Sequence, residues 1–186
     1  MFKDIVEKSA KVPEQIKPAL CLDLDGTIRY SKSGRFIQDP QDIALFAGVE
    51  EKIWQYRKRG FLIFGITNQG GVAFNYKTPE RNLAEISSTC NLFVRNPFHS
   101  IKYCYHMEEG SIFPYNYKSL LRKPYTGMLA LLEVEAWNAG FVIDWNNSIF
   151  VGDDEVDKLC AENAGLKFYW AAAFFALAGY TKSPDN

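Results

Sequence analysis

An excess of charge of either sign is missing from this chain: 21 basic residues face 22 acidic ones over 186 positions, a formal charge of −1. That balance removes any global field that would draw the protein onto nucleic acid or acidic lipid, and leaves room only for a local basic pocket. A long apolar run is missing too. The most apolar stretch, Trp170 to Tyr180, is about half of what a bilayer-spanning helix needs. The opening MFKDIVEKSAKVPEQIK has no apolar core of the kind a signal peptide carries. Cysteine is sparse: Cys21, Cys90, Cys104 and Cys160 lie far apart, and read as reduced, buried thiols instead of a disulfide framework. Hydrophobic residues at 47% and charged residues at 23% argue against disorder, and the length suits one domain. The expectation is a soluble, cytoplasmic, single-domain protein with no membrane partner.

What is present is an alternation of short apolar runs with helix-like segments. The runs are Ala19–Leu24, Phe61–Ile66, Ile101–Tyr105, Ser148–Gly152 and Leu166–Trp170. Bounded by polar turns and lacking strict alternation, they suit parallel strands covered on both faces. Between them, Val49 to Arg57 has a helical apolar spacing and a stop at Gly60. Thr78-Pro79 reads as an N-cap followed by proline at the first helical position, leading towards Val94. Met128 to Ala139 and Asp154 to Asn163 are further helices, closed by Gly140 and Gly165. The pattern predicts a three-layer, doubly wound, Rossmann-like α/β fold with a parallel sheet of about five strands. Residues 1–17 read as an N-terminal extension, 18–178 as the domain and 179–186 as a frayed tail. Two long stretches, Arg29 to Ala47 and His106 to Lys123, read as irregular connections.

The most informative residues are Asp23-Leu24-Asp25-Gly26-Thr27, at the carboxyl end of the first strand. In extended backbone Asp23 and Asp25 share one side, and Gly26 permits a sharp turn. Two carboxylates so close repel unless a cation or a shared proton intervenes, and oxygen ligands of this kind suit Mg²⁺. Sites in open α/β sheets form outside the carboxyl ends of the strands. An acidic capping turn is the plainer alternative.

Three later segments sit where the same site would need them. Thr67-Asn68-Gln69-Gly70-Gly71 ends the second strand with a hydroxyl, two amides and two glycines, donors that suit a phosphate. Arg122-Lys123-Pro124 sets two cations before a helix. Gly152-Asp153-Asp154-Glu155-Val156-Asp157 ends the fourth strand with a second acidic group.

In this order the four segments resemble the haloacid dehalogenase (HAD) superfamily of phosphotransferases. The Thr-Asn-Gln-Gly and Arg-Lys-Pro forms are most similar to subfamily IIIA, the branch with histidinol phosphatase, heptose bisphosphate phosphatase and polynucleotide 3′-phosphatase. The resemblance spans roughly Leu20 to Trp170. It implies that Asp23 is the nucleophile and Asp25 the general acid and base, with Thr67 and Asn68 on the phosphoryl oxygens and Lys123 neutralising charge. It further implies Mg²⁺ held by Asp23, Asp153 and the backbone carbonyl of Asp25, with Asp157 in support and Arg122 on the rest of the substrate. Crowding by Asp23 and Asp153 is expected to raise the Asp25 pKa.

The chain departs from that branch in two ways, at the zinc ligands and at Asp154. Of the four zinc ligands the branch often carries, only Cys104 and His106 remain, since Ser119 and Leu121 stand where cysteines would be; zinc is not expected. Phe113, Tyr115 and Tyr117 are expected to pack that loop instead, a wall over the substrate being the alternative. Asp154 replaces a usual cation, which weakens a second-phosphate site. No insertion is long enough for a cap domain. Arg29, Lys32 and Arg35 are expected on a solvated loop near the entrance. The leading function is Mg²⁺-dependent hydrolysis of a small phosphorylated metabolite through an aspartyl phosphate. A nucleic-acid 3′-phosphatase and a non-catalytic phosphate binder are the alternatives.

Overall fold

The computed structural model describes residues 13–177. Most of the expected N-terminal extension and the whole of the expected tail therefore lie outside the described residues. The central sheet has five strands, all parallel: β2 (Ala19–Leu22), β5 (Leu62–Asn68), β6 (Ser100–Cys104), β8 (Ile149–Gly152) and β9 (Lys167–Trp170). Their spatial order is β6-β5-β2-β8-β9, so the strands expected to carry the site are the three central ones.

Side chains alternate across the sheet, and both faces are covered. Ala19, Cys21, Leu62, Phe64, Ile66 and Phe150 face α3 (Gly127–Asn138) and α4 (Glu155–Asn163), which contribute Met128, Leu129, Leu132, Cys160 and Ala161. Leu20, Leu22, Leu24, Ile63, Ile149 and Val151 face α1 (Val49–Lys58) and α5 (Ala171–Phe175), which contribute Val49, Ile53, Phe174 and Phe175. Two buried faces explain why these strands read as continuous apolar runs, without a period of two.

The helix α2 (Pro79–Asn91) is of another kind. Its start is as the sequence suggests, with the Thr78 side chain accepting from the Arg81 N–H. It stops at Asn91, short of Val94, and its buried residues are Asn82, Glu85 and Thr89, all polar. This face serves the site and not the apolar core.

The stretch Arg29 to Ala47 corrects the reading of an irregular connection. It holds an antiparallel pair, β3 (Arg29–Ser31) with β4 (Ile43–Leu45), and a 3₁₀ turn at Pro40–Asp42 between them. Asp42 accepts from the hydroxyls of Ser31 and Ser33, a local bond set that fixes the bend without any hydrophobic signal. A second small pair joins β1 (Gln15–Lys17) to β7 (Phe141–Ile143), in parallel. Strands of three residues are too short to leave a legible pattern.

Candidate active site

The central strands β5, β2 and β8 run parallel and end at the same edge of the sheet, where a cleft of about 690 Å³ opens. Asp23 follows β2 directly, and its backbone N–H donates to the Val151 carbonyl of β8 at 3.0 Å. The chain then turns at Gly26, whose φ of +77° a side chain would resist. Thr27 sends its hydroxyl back to Asp153 Oδ1 at 3.1 Å, tying the first acidic turn to the second.

Asp23 is buried, and Lys123 Nζ lies 2.5 Å from its Oδ1. The same ammonium lies 2.5 Å from Asp157 Oδ1 and donates to the Ile66 carbonyl at 3.0 Å. One cation thus serves two buried acids. Burial alone would lower the Lys123 pKa, but Asp157 and Asp23 outweigh it and hold the ammonium charged. For Asp23 burial wins in the other direction: its carboxyl is raised well above the usual range, with Lys123 opposing and Asp157, Asp153 and Asp25 adding to the rise. Carboxylate oxygens of Asp23, Asp153 and Asp157 all lie within 4.8 Å of one another.

Asp157 owes its place to Gly152. A Cβ on Gly152 would stand 2.4 Å from the Asp157 Cβ, so only glycine lets α4 come this close to the end of β8. Asp157 Oδ2 also accepts from the N–H groups of Asp153 and Asp154. Asp154 in turn caps α4, its carboxylate accepting from the Val156 N–H in a capping box with Asp157.

Asp25 departs from the expectation. Its carboxylate is gripped by Arg29, Nε to Oδ1 at 2.8 Å and Nη2 to Oδ2 at 3.1 Å, and Gln69 Nε2 donates to Oδ2 at 2.6 Å. Burial pushes the Asp25 pKa up, but the Arg29 charge and the hydrogen bonds of Arg29 and Gln69 outweigh it, and the net direction is down. The expected rise from crowding falls on Asp23 instead. Arg29 itself is fully buried, not a solvated entrance residue.

Thr67 is fully buried and lines the same cleft as Asp23, and its Oγ1 accepts from Gln69 Nε2 at 2.9 Å. Asn68 turns its side chain to the Lys123 backbone: Nδ2 donates to the Lys123 carbonyl at 3.1 Å and Oδ1 accepts from the Lys123 N–H at 3.0 Å. It braces the Lys123 backbone with one of its two Nδ2 hydrogens and its Oδ1, and lines the cleft. Arg122 lines the cleft, with Nη1 donating to the His106 carbonyl at 3.3 Å and close against Gly70.

The partners of Asp25 were missed in the sequence. A basic residue four places after an acid, and polar residues at i, i+3 and i+7 of α2, were the available signals. In the loop before Arg122, the His106 ring packs on Tyr115 and Tyr117 at 5.6 and 4.5 Å, while Phe113 is exposed. The Ser119 hydroxyl accepts from the Leu121 N–H at 3.2 Å, closing that turn.

Residues 19–175 match the family model described as polynucleotide kinase 3 phosphatase. A D-glycero-β-D-manno-heptose-1,7-bisphosphate 7-phosphatase of Vibrio cholerae is 34% identical over 152 residues, 81% of this chain and 78% of the relative. A D-glycero-D-manno-heptose-1,7-bisphosphate 7-phosphatase of Chlorobaculum tepidum is 31% identical over 151 residues, 80% of this chain and 75% of that one. Among solved structures, a HAD-like phosphatase of Mesorhizobium loti superposes with a TM-score of 0.69 at 29% identity, covering 84% of this chain and 72% of its own. The D,D-heptose 1,7-bisphosphate phosphatase of B. bronchiseptica, complexed with magnesium and phosphate, shares the fold with a TM-score of 0.64 at 20% identity, over 90% and 89% of the two chains.

Proposed function

Because the chain belongs to the polynucleotide kinase 3 phosphatase family, among the subfamily IIIA phosphatases of the HAD superfamily, we propose that it hydrolyses a small phosphorylated metabolite, of the sugar phosphate or histidinol phosphate type, with Asp23 as the nucleophile. The observation that carries this reading is the 2.5 Å pair of Asp23 and Lys123 at the floor of the cleft, beside Asp153 and Asp157.

The donor set fits a divalent ion. Three carboxylates converge within 4.8 Å, and one Lys123 ammonium is shared between two of them, which leaves excess negative charge at the site. Asp23 and Asp153 would hold Mg²⁺, with the Asp25 backbone carbonyl, while Asp157 fixes Lys123 and the Asp153 turn. When bound, the ion supplies positive charge that cancels repulsion between carboxylate and phosphate.

The residues then divide the work. Lys123 neutralises charge that builds on the phosphoryl group, and Thr67 and Asn68 orient its oxygens. An Asp23 oxygen bonds to phosphorus as the bond to the leaving oxygen breaks, and Asp25, whose protonated form the negative charge of the bound phosphate favours against the pull of Arg29, gives that oxygen a proton. Water next attacks phosphorus, passes a proton to Asp25, and phosphate leaves Asp23. Arg122 contacts the remainder of the substrate.

The heptose bisphosphate phosphatases among the relatives favour a sugar phosphate. The carboxylate of Asp154, at the cleft wall, disfavours a second phosphate there. The family's description supports a second reading, a nucleic-acid 3′-phosphatase, which the charge of −1 does not favour. Among the described residues no helix is long and apolar enough to cross a membrane.

Mg²⁺-dependent release of phosphate from p-nitrophenyl phosphate tests the reading. Activity in the parent and background rates in Asp23→Asn are expected; a parent without turnover would leave a phosphate binder. A panel of sugar phosphates and 3′-phosphorylated oligonucleotides then separates the two substrate classes, the latter marked by a steep salt dependence.

A further inference from the structure

We propose that Arg29 and Gln69 are positioning residues that set the aim of the Asp25 carboxylate, and that the polar face of α2 exists to hold them. The inference rests on the phosphatase reading and goes beyond it, because neither side chain need touch the substrate.

Arg29 uses its guanidinium on two fronts. Nε and Nη2 take both oxygens of Asp25 in a fork, while Nη1 donates to Thr89 Oγ1 at 2.6 Å and to the Glu85 carbonyl at 3.3 Å. A fork of this kind fixes the plane of a carboxylate, which a single ammonium cannot do. Gln69 closes the arrangement from the other side. Its Nε2 binds Asp25 Oδ2 and Thr67 Oγ1, and its Oε1 accepts from Asn82 Nδ2 at 2.6 Å. That last bond fixes which end of the Gln69 amide faces the acid.

The cost of the arrangement argues for its purpose. Arg29 and Asn82 are fully buried, and Glu85, also fully buried, pairs with Lys77 at 2.6 Å. Lys77 Nζ donates at 2.5 Å to the Ile37 carbonyl, so the same network ties down the mouth of the cleft. Apolar residues at positions 82, 85 and 89 would hold α2 in place with fewer demands. What apolar packing cannot do is fix the orientation of Asp25, whose side chain remains 41% accessible from the cleft.

A well-aimed acid matters in proportion to how badly the leaving oxygen needs its proton. The step moves one proton from the Asp25 carboxyl to that oxygen as its bond to phosphorus breaks and the bond from Asp23 forms. An alkoxide needs the proton; p-nitrophenolate leaves without it. Arg29→Lys keeps the charge and loses the fork. It is expected to lower kcat/KM, which reports the steps up to leaving-group release, on an alkyl phosphate on the order of 10²-fold, the lower range of general acid catalysis. On p-nitrophenyl phosphate the loss of kcat/KM should be less than about 5-fold, because that leaving group departs without a proton. In an Asp25→Asn background Arg29→Lys should cost nothing further.

Equal losses of kcat/KM on both substrates, or an undiminished loss in the Asp25→Asn background, would overturn the proposal. Should Arg29→Lys not fold, Gln69→Met carries the same test, and Arg29→Ala restored by added guanidinium carries it again. Turnover of p-nitrophenyl phosphate by the parent protein keeps these outcomes apart from a failure of the phosphatase reading itself.

Discussion

At the scale of single residues, identical chemistry is divided by surroundings. Asp23 and Asp25 are two positions apart, yet the first is raised by burial against a group of acids and the second is held down by a guanidinium and an amide. Nothing in the pentapeptide distinguishes them. The partners come from residues 29, 69 and 123, brought in by other elements. Gly152 shows the same dependence on approach. Gly152→Ala puts a methyl into the Asp157 carboxylate, and overpacking of this sort costs about 1–3 kcal/mol. Urea unfolding should show that loss, and phosphate release should fall with it, because Asp157 carries Lys123.

At the scale of elements, the starts of α1 to α4 and the five central strands were legible, because caps and apolar runs are local signals, whereas the five-residue α5 was not. Thr78 illustrates the strength of such a signal: Thr78→Ala removes the acceptor for the Arg81 N–H and should cost about 1 kcal/mol in denaturant unfolding. The same local view misjudged what α2 is for. Its buried face is Asn82, Glu85 and Thr89, which no hydrophobic pattern can reveal. It also missed β1, β3, β4 and β7, each of three residues and stabilised by a neighbour distant in sequence or by side-chain bonds such as those of Asp42.

At the scale of the whole molecule, stability is linked to ligands and protons. If Asp23 and Asp153 hold Mg²⁺, the ion binds the folded state alone, and at about 100 times its Kd adds about 2.7 kcal/mol. For a chain of this size that is a rise of roughly 5–10 °C in Tm, lost with a chelator and in Asp153→Asn. His99 gives a second linkage. Its Nδ1 accepts from the Ile63 N–H at 2.8 Å, and burial, with Arg57 nearby, lowers its pKa. The unfolded chain therefore takes up this proton first, so stability is complete above about pH 6.5 and declines as pH falls below it. His99→Asn keeps an acceptor that does not titrate. Urea midpoints between pH 7.5 and 5 should fall less in that variant than in the parent.

The sequence by itself determined the order of strands and helices, the run of motifs that implies the family, and the residues at the strand ends, because hydrophobic runs, caps and glycine turns act over a few positions. Tertiary structure alone decided which acid would be raised and which lowered, that Asn68 would turn its amide to the Lys123 backbone, and that Arg29 would be buried instead of solvated. These depend on which distant groups share a dry, crowded space, and electrostatic energies there change with each ångström of separation.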